Sequence, residues 1–263
     1  MKPIEHYEQY GYVVLRSFLD DQEVSLINRH VDRIYQMWHS INETCIFENK
    51  LVNMHSLTSP EYFQDDPAQR VEFFKAIASN KLTKALDDLF GSGVYFHNTQ
   101  LFFNPSNPER LPYWHRDMQY SPINDAVQCD EQANMVSLHV RIPLVKEQGL
   151  EVVTGTHIRW DTERERNVRF EAEGYKNSDP LPDSKLIDLV PGDVLIFNAQ
   201  MIHRGNYQLN AVRKAFDLCV GKYHPLVSAF ADPGVLPTEQ EMQFMENNVW
   251  YKLAREYVAK STT

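Results

Sequence analysis

The stretch YWHRDMQY, residues 113–120, sets a histidine and an aspartate two apart, His115 and Asp117, among aromatic and long side chains. On a strand that spacing puts both side chains on one face. An imidazole and a carboxylate so placed can grip one divalent metal, although they can equally be a solvated ion pair. A third ligand is needed. His203, in PGDVLIFNAQMIHRGNY, stands near the end of the buried strand-like run VLIF, after a PGD turn. Two histidines and one carboxylate on a β-scaffold form the facial triad that suits Fe(II), with positions left for a co-substrate and oxygen. Zinc accepts the same set with a water. Ten residues past His203, Arg213 opens another strand-like run, NAVRKAFDL. An arginine there can pair bidentately with one carboxylate of a dicarboxylate whose other end chelates the metal.

The elements that must position these residues change character along the chain. GYVVLRSFL, residues 11–19, reads as a short strand, and Asp20 with Glu23 makes a capping box for an amphipathic helix over 21–39. Residues 40–66 are irregular. A second helical region runs from about Ala68 to Phe90 and ends at Gly91 and Gly93. From Gly93 onward short strand-like segments follow one another with Gly, Pro, Asn and Asp between them, which suggests a sandwich or barrel. HxD lies within one of these segments and is expected to be strand. After Pro237, Thr238 and Glu241 cap a last helix to about 259. Residues 158–185 are charged and aperiodic, either a solvated loop or a lid.

The 263 residues suit one domain, with a helical part over about 1–92, a β-core over about 93–224 and a C-terminal helix over about 238–259. The formal net charge of −10 argues against nucleic acid or an anionic membrane as partner. No apolar run is long enough to span a bilayer, and the N-terminus lacks a signal-peptide pattern. Cys45, Cys129 and Cys219 are far apart with no CxxC pair, which implies reduced thiols and a cytoplasmic location.

With these motifs in order, the chain resembles the phytanoyl-CoA dioxygenase (PhyH) family of Fe(II)/2-oxoglutarate-dependent oxygenases. HYEQYGYVVLRSFLDDQEV is similar to that family's opening strand and helix, and WHRD to its proximal HxD. EQGLEVVTGTH (147–157) is similar to its NG-x-L-x-V-x-P-G-S-H segment, and VPGDVLIFNAQMIHRGN to its GD-x-x-x-F strand and distal histidine. The resemblance implies a double-stranded β-helix, or jelly-roll, core of cupin-like form with flanking helices. It implies Fe(II), 2-oxoglutarate and O₂ as cofactor and co-substrates, with His115, Asp117 and His203 as iron ligands and Arg213 as the 2-oxoglutarate arginine. Gln100, Asn104 and, more weakly, Ser137 are the further 2-oxoglutarate contacts. The chain departs from the pattern at Gly205, where Ser or Thr is common, at Thr154 for Pro and at Gln148 for Asn.

MVSLHVRIPLV, residues 135–145, alternates: Val136, Leu138, Val140, Ile142 and Leu144 against Ser137, His139 and Arg141. The apolar face suits a helix layer, and the polar face then looks into the barrel. A buried arginine needs an anion, so Arg141 suggests an anionic small-molecule substrate, unless an internal carboxylate takes it. His139, Arg141 and Asn98 are therefore the candidate substrate contacts. Hydroxylation is the default outcome; desaturation, epoxidation or cyclisation use the same site. The alternative is a cupin-like metal-dependent isomerase or hydrolase without 2-oxoglutarate, which leaves Arg213 without a task. A monomer or a homodimer fits equally.

Overall fold

The computed structural model describes residues 1–228 and 232–261. Among these residues nine strands are arranged as two antiparallel sheets: β1 (Tyr12–Leu15), β2 (Asn53–His55), β3 (Tyr95–Phe103), β4 (Ser137–Pro143), β5 (Glu147–Val153), β6 (Ser184–Leu189), β7 (Val194–Asn198), β8 (His203–Gly205) and β9 (Lys214–Gly221). The larger sheet has the order β1-β7-β4-β9-β3-β2, and the smaller β6-β5-β8. Mostly antiparallel sheets with flanking helices make this the expected jelly-roll class. The larger sheet also draws β1 and β2 from the segment expected to be the helical part, so the β-architecture starts well before residue 93.

The helices are α1 (Pro3–Tyr10), α2 (Asp21–Glu48), α3 (Pro67–Ile77), α4 (Asn80–Phe90), α5 (Asp125–Glu131), α6 (Glu163–Arg169), α7 (Pro225–Ser228), α8 (Glu239–Met242) and α9 (Val249–Ser261). The Asp20–Glu23 capping box starts α2 as its sequence implies. The helix runs on to Glu48, past the expected end near 39, because HSINETCIFE contains no Gly or Pro and Ile46 finds a buried seat. The 68–90 region is two helices. Ser79 accepts a hydrogen bond from the Leu82 amide and starts α4 afresh. The C-terminal helix is likewise broken. Thr238 and Glu241 cap only the single turn of α8. Asn247 then bonds Ala78 O and Thr83 Oγ1, and α9 starts after it.

Two cores result. Leu138, Val140 and Ile142 of β4 join Phe96, Leu101, Phe216 and Leu218 against Ile27, Ile34, Phe73, Phe74, Leu86 and Tyr251 of the helices. Between the sheets lie Tyr12, Leu150, Val152, Ile187, Leu195 and Phe197. The alternation in β4 thus sends its apolar side chains to the helix layer and leaves His139 and Arg141 in the barrel. Among the described residues no helix is long and apolar enough to cross a membrane.

Candidate metal centre

The HxD segment is not a strand. His115 and His203 form one isolated antiparallel bridge, with both amide-to-carbonyl bonds at 3.0 Å. Asp117 then opens a 3-10 turn, Asp117–Tyr120. Strand partners run out here. β7 ends at Asn198, and the Asp117 amide bonds Ala199 O instead, at 3.1 Å. The bridge rather than a strand period brings the imidazoles together, with ring centroids 4.2 Å apart. The Asp117 Oδ1 atom lies 3.7 Å from His115 Nε2 and 3.5 Å from His203 Nε2. His203 starts β8 in the smaller sheet and does not end the β7 run. One ligand atom from each of the three residues fits within 4.8 Å of the others.

The donor set suits a metal. His115 Nδ1 donates to Tyr113 O at 3.2 Å and His203 Nδ1 to Met201 O at 3.0 Å. A carbonyl only accepts, so the proton sits on Nδ1 in each ring and the Nε2 lone pair is left for an ion. Burial holds both imidazoles below their ordinary pKa, that of His203 at about 3 with the His115 charge adding to the effect. Burial pushes the Asp117 carboxyl up, but the charge and hydrogen bond of His139 outweigh it and keep the group ionised.

Behind Asp117 a row of buried charges crosses the barrel. His139 Nε2 bonds Asp117 Oδ2 at 2.7 Å, and His139 Nδ1 bonds Asp217 Oδ2 at 2.9 Å. Burial works against charge on His139, but Cys219, Asp117 and Asp217 together raise its pKa well above the ordinary value. Arg141 takes Asp217 with two bonds, 2.8 and 3.0 Å, and lies 3.6 Å from Glu147. Glu147 in turn accepts from Arg213 Nε at 2.8 Å. Asp217 is thus the internal carboxylate that takes Arg141, whose Nη1 nevertheless stays buried without a hydrogen-bond partner. Asp217 and Glu147 lie in runs that the sequence marks only as strand.

Arg213 keeps one free valence. Its Nη1 is buried without a hydrogen-bond partner, and the guanidinium packs over Phe102 and Tyr207. A Cβ on Gly205 would lie 2.7 Å from that Nη1. The glycine that departs from the family pattern thus makes room for the arginine. Of the other candidates, Asn104 donates to Asn210 O and Ala211 O at 2.9 and 3.2 Å and braces the turn before Arg213. Gln100 accepts from Asn53 and approaches Cys219 Sγ at 3.7 Å. Asn98 donates to Ser56 Oγ at 3.2 Å. Asn98 and Ser137 line, with Asp117, one cavity beside the centre.

Residues 158–185 are neither a plain loop nor a free flap. They carry α6 and the side chain of Asp161, which is fully buried between Arg116 at 2.8 Å and Arg169 at 2.6 Å. Arg116, between the two candidate ligands His115 and Asp117, also donates to Thr156 O and Gln200 O. Trp114 donates from its backbone to Asn177 O and from Nε1 to Asp179 O, each at 2.8 Å. The charged segment is bolted to the ligand-bearing segment.

The chain matches the phytanoyl-CoA dioxygenase (PhyH) family over residues 7–214. No curated protein is matched by sequence. Among solved structures, the fold is similar to that of the non-heme alpha-ketoglutarate-dependent carbocyclase SnoK from nogalamycin biosynthesis, at 18% identity and TM-score 0.55, covering 84% of this chain and 83% of that one. It is also similar to HygX from Streptomyces hygroscopicus with nickel and 2-oxoglutarate bound, at 12% identity and TM-score 0.59, covering 84% and 86%. EctD from S. alaskensis with 2-oxoglutarate and 5-hydroxyectoine aligns at 15% identity and TM-score 0.54, covering 83% and 74%. The isomerase or hydrolase alternative is not favoured by this family match. The chain belongs to the phytanoyl-CoA dioxygenase family and is an Fe(II)/2-oxoglutarate-dependent oxygenase.

Proposed function

We propose that His115, Asp117 and His203 hold the Fe(II) of this oxygenase, that Arg213 binds the distal carboxylate of 2-oxoglutarate, and that the substrate is a small molecule. The carrying observation is the pairing of two features: three converging ligand atoms, and a buried guanidinium nitrogen without a partner where a co-substrate carboxylate is needed. The bound iron and 2-oxoglutarate supply O₂ activation, with succinate, CO₂ and an oxidised substrate as products. The protein's own part is to hold and orient. His115 and His203 are fixed as Nε2 ligands by their carbonyl partners. Asp117 offers Oδ1 to the ion while His139 occupies Oδ2. Arg213 is fixed on one edge by Glu147 and presents the other. Gln100 is the secondary co-substrate contact. Ser137 and Asn98 face the substrate side through the cavity they share with Asp117. The similar structures SnoN with nogalamycin RO and EctD with 5-hydroxyectoine hold small molecules, which supports the substrate class.

The test is anaerobic addition of Fe(II) and 2-oxoglutarate. A weak visible charge-transfer band is expected in the wild type and absent in His203→Ala. An unchanged band in His203→Ala would remove His203 from the iron site.

A further inference from the structure

The side of the chain that carries two of the candidate ligands continues outward past them. Along 113–117 the half-buried Tyr113, His115 and Asp117 alternate with the buried Trp114 and Arg116. Alternation of this kind puts the first three on one side. That side is open: the Asp117 side chain is 33% exposed and that of His115 15%. Tyr113 stacks on the His115 ring, 4.9 Å between centroids. Arg110 stacks in turn on Tyr113, its guanidinium carbon 4.1 Å from the ring centre, well within cation–π range. Arg110 therefore stands two stacking layers from a candidate ligand imidazole.

Among the described residues Arg110 is the one arginine beside the centre without a carboxylate. Arg116 and Arg169 share Asp161, Arg141 holds Asp217, Arg213 holds Glu147 and Arg204 holds Glu151. The adjacent Glu109 is taken by Lys50 at 2.7 Å. Acidic side chains outnumber Lys and Arg in this chain, 36 to 26, so the missing partner does not reflect a shortage of acids.

The guanidinium is presented to its surroundings. Stacking uses its face and leaves the N–H edges free for in-plane, bidentate hydrogen bonds. Arg110 as a whole is half-buried, and of its side-chain nitrogens only Nε is enclosed without a partner. The Nη edge is open. Its charge reaches both sides of the centre. Burial raises the pKa of the Tyr120 and Tyr207 hydroxyls, and the Arg110 charge works against that in each. Tyr120 is 63% exposed and lines, with Asp117, a cavity of about 350 Å³; the Tyr207 ring lies under Arg213. Iron and 2-oxoglutarate do not use this charge. Fe(II) and the dicarboxylate are equal and opposite, and Arg213 already offers Nη1 to the distal carboxylate. The open edge fits a further anion, one that the substrate brings.

We propose that Arg110 is the substrate-recognition cation of this oxygenase and binds a carboxylate or phosphate group of an anionic small-molecule substrate at the mouth of the metal centre. This rests on the reading of His115, Asp117 and His203 as the iron site. The test uses the full chain loaded with Ni(II) and 2-oxoglutarate, titrated with matched probes by calorimetry and ligand-observed NMR. The anionic probes are benzoate and phenyl phosphate; the neutral ones are benzamide and benzyl alcohol. At least one anionic probe should bind more tightly than both neutral ones, and the tighter of the two names the anion. Arg110→Gln should weaken anionic-probe binding by about ten-fold, the loss of one charge-assisted hydrogen bond, and Arg110→Lys by less. Neutral-probe, Ni(II) and 2-oxoglutarate affinities should stay near wild type in both variants, which also shows that they fold. Neutral probes bound as tightly as anionic ones, binding of neither class, or anionic-probe binding undiminished in Arg110→Gln would overturn the proposal. So would a 2-oxoglutarate affinity that falls as far as that of the probes, since the guanidinium would then serve the co-substrate. Failure of the iron-site reading shows separately, as Ni(II) binding that His203→Ala does not reduce.

Discussion

His139 ties the metal centre to the barrel interior by giving one ring N–H to Asp117, at 2.7 Å, and the other to Asp217, at 2.9 Å. The ring stacks flat on Phe197, 4.9 Å between centroids, so its orientation is fixed from a third side. A ligand carboxylate held in this way keeps its geometry before an ion arrives. Loss of such an outer partner typically reduces metal affinity by about 10–100-fold. His139→Ala should show a loss of that size in Co(II) or Ni(II) titrations, with Asp217 still paired to Arg141. Wild-type affinity in the variant would mean that Asp117 is positioned by its backbone alone.

Gly205 leaves the space that Arg213, the proposed co-substrate arginine, occupies. An alanine methyl there meets Arg213 Nη1 at 2.7 Å and must displace it. Gly205→Ala should raise the half-saturating 2-oxoglutarate concentration by about ten-fold, a penalty of about 1.4 kcal/mol, with metal binding near normal. Arg213→Ala should raise it further, since loss of a buried charged partner costs roughly 2–5 kcal/mol. A 2-oxoglutarate dependence unchanged in both would move the anchor elsewhere, Arg110 being the next cation to test.

The Asp161 carboxylate is shared by two buried guanidiniums, those of Arg116 and Arg169. Asp161→Asn leaves both without a counter-charge, and breaking a buried pair in this manner costs about 3–5 kcal/mol. Urea denaturation should show a loss of that order. Because the segment is already fastened, hydrogen exchange over 158–182 should be the same with and without Ni(II) and 2-oxoglutarate. Strong additional protection on loading would restore the lid reading.

The acid limb of stability carries the signature of His97. Burial lowers its pKa from 6.5 to about 3 in the folded chain. Between those values the unfolded chain binds a proton that the folded chain does not, so stability falls as pH drops through this window. His97→Phe should remove that contribution. The unfolding free energy of the variant relative to wild type should therefore rise steadily from pH 7 to pH 4.5. A difference independent of pH would show that His97 is protonated in the folded protein.

The sequence carried the centre better than its surroundings. HxD, the distal histidine and the arginine ten residues on are local signals, and the structure brings the three ligand residues together. The reasoning from strand spacing did not survive, because a bridge of one residue pair, His115 with His203, replaces the strand. The alternation of β4 was legible because its two faces meet different environments. The partners of its polar face were not, since Asp217 and Glu147 lie far along the chain and look like ordinary strand residues. The breaks at Ser79 and Asn247 were missed because one capping side chain outweighed a continuous apolar period. The length of α2 was missed for the opposite reason, as no breaker marked its end. His97 carries no motif at all; a register step in β3 sets it beside Asn98 on the cavity wall.

The buried row Asp117, His139, Asp217, Arg141, Glu147 and Arg213 alternates in sign, three anions with three cations, and sums to zero. A divalent cation arriving at one end leaves the barrel with excess positive charge, and a dicarboxylate arriving at the other leaves it negative. Only the two together restore neutrality. Each ligand therefore makes the other's arrival more favourable, and by thermodynamic reciprocity the enhancement is the same in both directions. With iron at the Asp117 end and 2-oxoglutarate at the Arg213 end, as proposed, the metal should be held more tightly when the acid is already in place.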